Sequence, residues 1–330
     1  MSRLNNVLTT FAAYSKDVDC RMLSSSGAIF SLLADAVLGE SGIVYGVAMS
    51  EDCKNAVFKR ATNMEELEPL RSSKYIQARV ENTYKSVRED LASGKTVLFT
   101  GTGCQVNGLK LFLGKDYDSL FCVDVICHGV PSPGLWRKYV AYMEAQNGVE
   151  LRKVNFRCKD DSWTNYGIKE IDEQYSELYI PKNSHAYFQM FLRNYSLRPS
   201  CYECVAKDVK SGDITIGDFW GIQNVAPELN DNKGVSLVLV RSRRGKDLFE
   251  KISEDLIYKE VSYNDGVKEN SPEYMPVERP KLRNSFYIDA ANMSFDNLMG
   301  KYADPLSIPL KRRVKDTIKK ILRRKHTGGA

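Results

Sequence analysis

Between Ala28 and Leu38 the apolar residues of Ala-Ile-Phe-Ser-Leu-Leu-Ala-Asp-Ala-Val-Leu recur at helical spacing, which predicts a mostly buried helix. Ser24-Ser-Ser-Gly27 stands before it. As a turn it either caps the helix or presents free N–H groups and hydroxyls to an anion such as a cofactor phosphate. Gly42–Met49 and Ala56–Arg60 read as two strands about an acidic turn, Asn63-Met-Glu-Glu66 as a helix start of capping-box type, and Tyr84–Ser93 as a helix closed by Gly94. Lys95–Thr100 and Leu120–Ile126 are short apolar runs rich in β-branched and aromatic residues, so both predict buried strands. Each leads through a loop into a helix, the first running to about Leu113 and the second opening at Ser132-Pro133. Two consecutive strand–loop–helix units imply parallel strands with functional loops at their carboxyl ends.

After residue 150 the period changes. Leu151–Arg157, Tyr166–Ile171 and Glu177–Ile180 alternate with polar turns and predict antiparallel strands. Ala186–Tyr195 reads as a helix, Asp213–Gly217 as a strand, Asp218–Gly221 as a tight aromatic turn, Gly234–Val240 as a buried strand and Lys246–Leu256 as its following helix. The expected fold is α/β, α+β overall: parallel strand–loop–helix units plus an antiparallel β region, with a basic C-terminal helix.

Composition narrows the class. The chain has 330 residues, 43% hydrophobic and 27% charged, enough to bury ample core. It contains no run of 18 apolar residues, and Met-Ser-Arg-Leu-Asn-Asn lacks the order of a signal peptide, so a cytoplasmic location is expected. Eight cysteines in such a chain predict reduced thiols or metal ligands rather than a disulfide framework. Residues 310–330 carry nine Lys or Arg and one Asp, which leaves 38 basic against 41 acidic side chains elsewhere. A mildly acidic body argues against a nucleic-acid partner. In the tail, Leu310, Val314, Ile318, Ile321 and Leu322 fall on one helical face among basic residues. That stretch is either a solvated or docked terminal helix, or one that adsorbs to an anionic membrane surface at the inner face.

Chemistry concentrates in the cysteines. Cys201-Tyr-Glu-Cys204 places two thiols on a turn, a spacing shared by zinc sites, iron–sulfur clusters and dithiol redox centres. Cys104, in Gly101-Thr102-Gly-Cys-Gln105, and Cys127, in Ile126-Cys-His-Gly129, lie in strand-end loops and complete a candidate set of four. Cys104 also opens a helix, whose positive end favours a thiolate. The Gly101–Gln105 loop is not a Walker loop, because Leu109-Lys110 follows Gly108 where Lys and a hydroxyl are required. Cys122 falls inside a strand and is expected in the core. His128 is either a hydrogen-bonded loop residue or an acid/base group. Leu70–Gln77 is either a solvated connection or a loop over a ligand, with Arg71 and Lys74 near negative charge and Tyr75 stacking.

Several of these segments in this order resemble the beta subunits of coenzyme F-420 (8-hydroxy-5-deazaflavin) hydrogenases and related dehydrogenases. The resemblance runs over about residues 11–250, through Phe11–Tyr14, Ser24–Gly27, Gly46-Val47, Arg71–Gln77, Phe99–Gln105, Asp124–Pro133, Arg198–Cys204 and Gly217–Gly221. It implies a flavin and iron–sulfur oxidoreductase that binds FAD and a 4Fe–4S cluster and exchanges electrons with a ferredoxin-like or other redox partner protein. Carried over by position, Cys104, Cys127, Cys201 and Cys204 would ligate the cluster. Ser24, Ser25, Ser26, Gly27, Arg71, Lys74, Tyr75, Gln77 and Thr102 would contact flavin, with Lys74 supplying charge at the ring, Tyr75 or Trp220 covering a ring face and His128 beside the chemistry. The implied division is a flavin-contacting domain at 1–93, a cluster-binding domain at 94–270, an irregular extension at 271–309 and the basic tail at 310–330. Two departures stand out: Gly103 occupies a place where relatives commonly have Pro, and nothing before Cys20 supplies a ferredoxin-like segment, so further clusters are expected from another polypeptide. Members lacking that segment resemble proteins of cell-surface polysaccharide pathways, where an accessory or scaffold role is the alternative. A zinc-stabilised transferase is a third reading.

Overall fold

The computed structural model describes residues 7–303. In chain order its strands are β1 (Thr9–Ser15), β2 (Ile43–Met49), β3 (Ala56–Ala61), β4 (Val97–Thr102), β5 (Leu120–Val125), β6 (Leu151–Cys158), β7 (Gly167–Asp172), β8 (Glu177–Pro181), β9 (Ile214–Asp218), β10 (Ser236–Val240) and β11 (Leu256–Val261). Eight form one sheet in the order β11-β1-β10-β9-β5-β4-β2-β3, and β6-β7-β8 form a second. At the centre of the large sheet β2, β4, β5 and β9 run parallel, with Phe99 opposite Cys122 and Thr102 opposite Val125. The expected parallel units and antiparallel region are both present, so the fold is mixed α/β.

Strand parity explains the layering. Val97 and Phe99 of β4, with Ile43 and Tyr45 of β2, pack against Val87, Leu91, Val106 and Leu109 from the helices Thr83–Ala92 and Gly103–Leu113. Leu98 and Val44, one residue out of step, face Ile29, Leu33 and Leu248 from the helices Ile29–Gly39 and Arg243–Lys251. Alternate residues of a strand point to opposite faces, so a continuous apolar run is what a sheet covered on both sides requires. Cys122 is fully buried, as expected of a strand interior.

The small sheet packs with the helices Pro133–Asn147 and Ala186–Leu192 around Trp136, Phe156, Tyr187 and Phe188. Residues Phe286, Phe295 and Leu298 join the same core, and here the structure corrects the sequence reading. The stretch expected to be an irregular extension holds a short helical turn, Ser271–Glu273, and two helices, Arg283–Asn292 and Phe295–Tyr302. The first of these helices has little amphipathic periodicity, burying only Arg283 and Phe286, which is why it was not read as one. The helix expected to reach Leu256 stops at Lys251, because Leu256 opens edge strand β11. The tail at 310–330 lies outside the described residues.

Candidate functional site

Cys104 stands at the second position of the helix Gly103–Leu113, directly beyond β4. Thr102 caps that helix: its N–H donates to Gln105 Oε1 at 2.9 Å, and its hydroxyl lies 3.2 Å from Cys104 Sγ. Gly103 allows a close approach, since a side chain there would stand 3.2 Å from Asp124 Oδ2 and 3.3 Å from Ala206 Cβ. One strand over, β5 ends at Val125 and the chain turns through Cys127, His128 and Gly129, whose φ of 151° brings the backbone against Leu197.

That close approach lets the two cysteine loops pair. Arg198 N–H donates to Val130 O at 3.0 Å, Ser132 N–H to Ser196 O at 2.8 Å, and Val130 N–H to Cys201 Sγ at 3.5 Å. Cys204 follows at the end of the helical turn Pro199–Glu203, and just beyond the next turn, Val205–Lys207, the chain is tied to the Cys104 helix by Asn107 Nδ2 donating to Val209 O at 2.9 Å. Cys104, Cys127, Cys201 and Cys204 therefore line one cleft, with Thr102 and His128 on its wall. Sequence reasoning missed three further wall residues: Asp124, Lys207 and Lys210. Lys207 follows the C-x-x-C turn by three residues, a signal available but unused.

Burial pushes the Cys127 thiol up to about 12, with Cys201 and Cys104 adding to it and the Lys207 charge opposing. Burial also raises the Cys201 thiol. A bare thiolate is thus costly here, and a cationic metal centre is what would offset that cost. Among the described residues no three His, Cys, Asp or Glu side chains stand close enough to share a single metal ion. His128 Nε2 lies 2.6 Å from Asn194 Oδ1, and burial lowers its basicity, which favours neutral imidazole.

The remaining predicted residues form a second group. Ser25 Oγ lies 3.0 Å from Ser73 Oγ and accepts the Ser73 N–H at 2.9 Å, so the Ser24–Gly27 turn and the Arg71–Gln77 segment do meet. The other members of the turn are engaged internally: Ser24 Oγ donates to Cys20 O, Ser26 Oγ to Val235 O, and Gly27 N–H to Ser236 Oγ. Arg71 pairs with Glu68 at 2.8 Å. Lys74 Nζ donates to Pro69 O, Arg71 O and Ser72 O. Burial pulls the Lys74 ammonium down to about 7, while those three carbonyls favour its charged form. The Tyr75 ring lies 5.3 Å from Phe191, Phe191 lies 5.4 Å from His128, and Gln77 N–H donates to Pro131 O. These contacts link the second group to the thiol cleft. Arg157, which sequence reasoning missed, is 1% exposed, pairs with Asp218 at 2.8 Å and donates to Ser25 O at 3.1 Å. Trp220 stacks on Trp163 at 5.2 Å, with the Arg157 guanidinium 5.6 Å from its ring.

A mixed α/β fold that gathers four thiols beyond its parallel strands defines a candidate metal or redox centre. The chain belongs to the coenzyme F420 hydrogenase/dehydrogenase beta subunit family, whose C-terminal family model matches residues 94–265. Among solved structures it is similar in fold to a chain of the F420-reducing [NiFe] hydrogenase complex from Methanosarcina barkeri, determined with xenon derivatization. That likeness has 18% identity, covers 91% of this chain and 92% of that one, and reaches a TM-score of 0.53. No curated protein sequence matches the chain. Among the described residues no helix is long and apolar enough to cross a membrane.

Proposed function

We propose that this oxidoreductase subunit holds a 4Fe–4S cluster on Cys104, Cys127, Cys201 and Cys204 and an FAD beside it, and exchanges electrons with a separate redox protein in the cytoplasm. One observation carries the reading: four thiols from three distant stretches of chain line a single cleft. A cubane is held by four Cys thiolates, the number this cleft supplies. When bound, the flavin takes electrons in pairs and the cluster carries them singly, so the subunit would join two-electron to one-electron chemistry.

The chain's own residues suit both tasks. Val130 N–H already points at Cys201 Sγ, and hydrogen bonds to cluster sulfurs tune potential. For the flavin, Ser25, Ser72 and Ser73 gather hydroxyls, and the buried Arg157 Nε lacks an acceptor among the described residues. Lys74, when protonated, would supply positive charge to a bound flavin, Tyr75 would offer an aromatic face, and His128 a neutral imidazole. The partner is a ferredoxin-like or other redox protein, in keeping with a fold relative drawn from a hydrogenase complex.

Anaerobic reconstitution with iron, sulfide and FAD tests the proposal. A cubane electron paramagnetic resonance signal after reduction and bound flavin are expected. Serine at any of the four positions abolishes or cripples the signal, whereas Cys20→Ser, Cys53→Ser and Cys158→Ser retain it. Full iron content in Cys201→Ser would falsify the ligand assignment.

A further inference from the structure

Lys207 is 7% exposed, and its ammonium donates to Cys127 O at 2.6 Å and to Pro272 O. Both acceptors are neutral carbonyls, and no carboxylate pairs with it among the described residues. Its neighbour on the cleft wall is treated differently: Lys210 donates to Glu273 Oε2 at 3.1 Å, and Arg241 also binds Glu273. One wall lysine is thus neutralised inside the protein and the other is not. A buried cation without a counter-ion is costly, and the cost is offset only if the negative charge arrives with what fills the cleft.

We propose that Lys207 is the built-in counter-charge of the four-thiol cleft, setting the reduction potential of the centre bound there. This rests on the cluster reading above. Four thiolates give such a centre net negative charge, and each electron accepted adds one more while no covalent bond is made or broken. A fixed positive charge beside Cys127 stabilises the reduced form more than the oxidised one, so it raises the potential. Lys207 also holds Pro272, in the turn Ser271–Glu273 beyond the family-matched region, so the same contact closes the wall of the cleft. Lys207 is a positioning and tuning residue here, and its role does not require contact with a substrate.

The test is a redox titration of the reconstituted full chain, poised with dithionite and ferricyanide through mediators and read by electron paramagnetic resonance. Lys207→Met and Lys207→Gln are expected to shift the midpoint to lower potential, Lys207→Arg to keep it near the wild-type value, and Lys210→Met to shift it less than Lys207→Met. A midpoint unchanged in Lys207→Met, or lowered equally by Lys210→Met, overturns the proposal. If both neutral variants fail to take up iron while Lys207→Arg takes it up, the charge acts on affinity rather than on potential, and the proposal that Lys207 sets the potential falls. If all three fail, shape rather than charge is what the position supplies, and the proposal falls. A wild-type chain that takes up no iron overturns the underlying cluster reading; one that does so with an unshifted Lys207→Met potential overturns only this inference.

Discussion

Arg157 shows how a single side chain can join two segments that lie far apart in the chain. Its guanidinium links Ser25 O, on the N-terminal turn, to Asp218, in the Gly-Asp-Phe-Trp-Gly segment, and it lies 3.8 Å from the Tyr166 ring centroid. Arg157→Ala leaves Asp218 without its ionic partner, with only the Trp163 indole N–H still donating to it at 3.1 Å. Loss of one member of such a pair costs about 3–5 kcal/mol when both are buried. Asp218 keeps some exposure, so a loss near the lower bound is expected in chemical denaturation, together with weaker FAD binding and unchanged iron content. Unchanged flavin affinity would restrict Arg157 to a structural role. The sequence concealed this residue because Leu151-Arg-Lys-Val-Asn-Phe-Arg157 alternates as if its basic residues faced solvent. A register shift between Asn155 and Cys158 breaks the alternation, and Phe156, Arg157 and Cys158 are all buried. The cysteines were easier to read, since their positions at strand ends and on a C-x-x-C turn survive small errors in element boundaries.

Elements were readable where burial follows a simple period. The runs of β2, β4, β5 and β10 are apolar because both faces are covered, and the helix Ile29–Gly39 shows its buried stripe directly. Strands β1 and β11 were missed: β1 mixes Thr, Ala and Ser with aromatics, and β11 exposes Ile257 and Tyr258 at the sheet edge. Long-range pairing rather than local preference makes them strands. The opposite edge is held by side chains. Asp90, on the helix Thr83–Ala92, accepts from Tyr45 Oη of β2 at 2.6 Å and from Arg60 Nε of β3 at 2.8 Å. Burial raises the Asp90 carboxyl, but the bonds from Arg60 and Tyr45 outweigh it and hold it below the usual 3.8. A depressed folded value means the unfolded chain binds the proton first as pH falls, so this contribution is present above about pH 4 and lost through the folded value. Asp90→Asn is expected to cost about 1–3 kcal/mol at pH 7, for lost bonds to a charged group. Urea melts of wild type and variant should converge as pH drops below 3.8; a constant gap down to pH 2.5 would refute the linkage.

For the whole molecule, the sequence conveyed the class of fold and the family resemblance, but not which distant segments are neighbours. Pro272 reaching the cleft wall depends on the path of the chain after β11, which no local pattern encodes. Residues 310–330 lie outside the described residues, and their basic amphipathic pattern motivates a proposal of peripheral membrane attachment. Each basic side chain near an anionic bilayer contributes about 1 kcal/mol before salt screening. Liposome sedimentation should show binding to anionic but not neutral vesicles, weakened by salt and lost on truncation after Pro309. Equal binding by the truncated chain would remove the proposal. Strand β1 carries a different consequence. It lies between β10 and β11, with Thr9 opposite Val240 and Thr10 opposite Val261, and no other strand of the sheet adjoins it. During synthesis at about 5–20 residues per second, β1 leaves the ribosome roughly 10–50 s before its partners exist. Its apolar residues must wait through that interval unpaired, so completion of the sheet is timed by translation of β10 and β11, and β1 is the strand of this sheet with the longest unpaired exposure to chaperones.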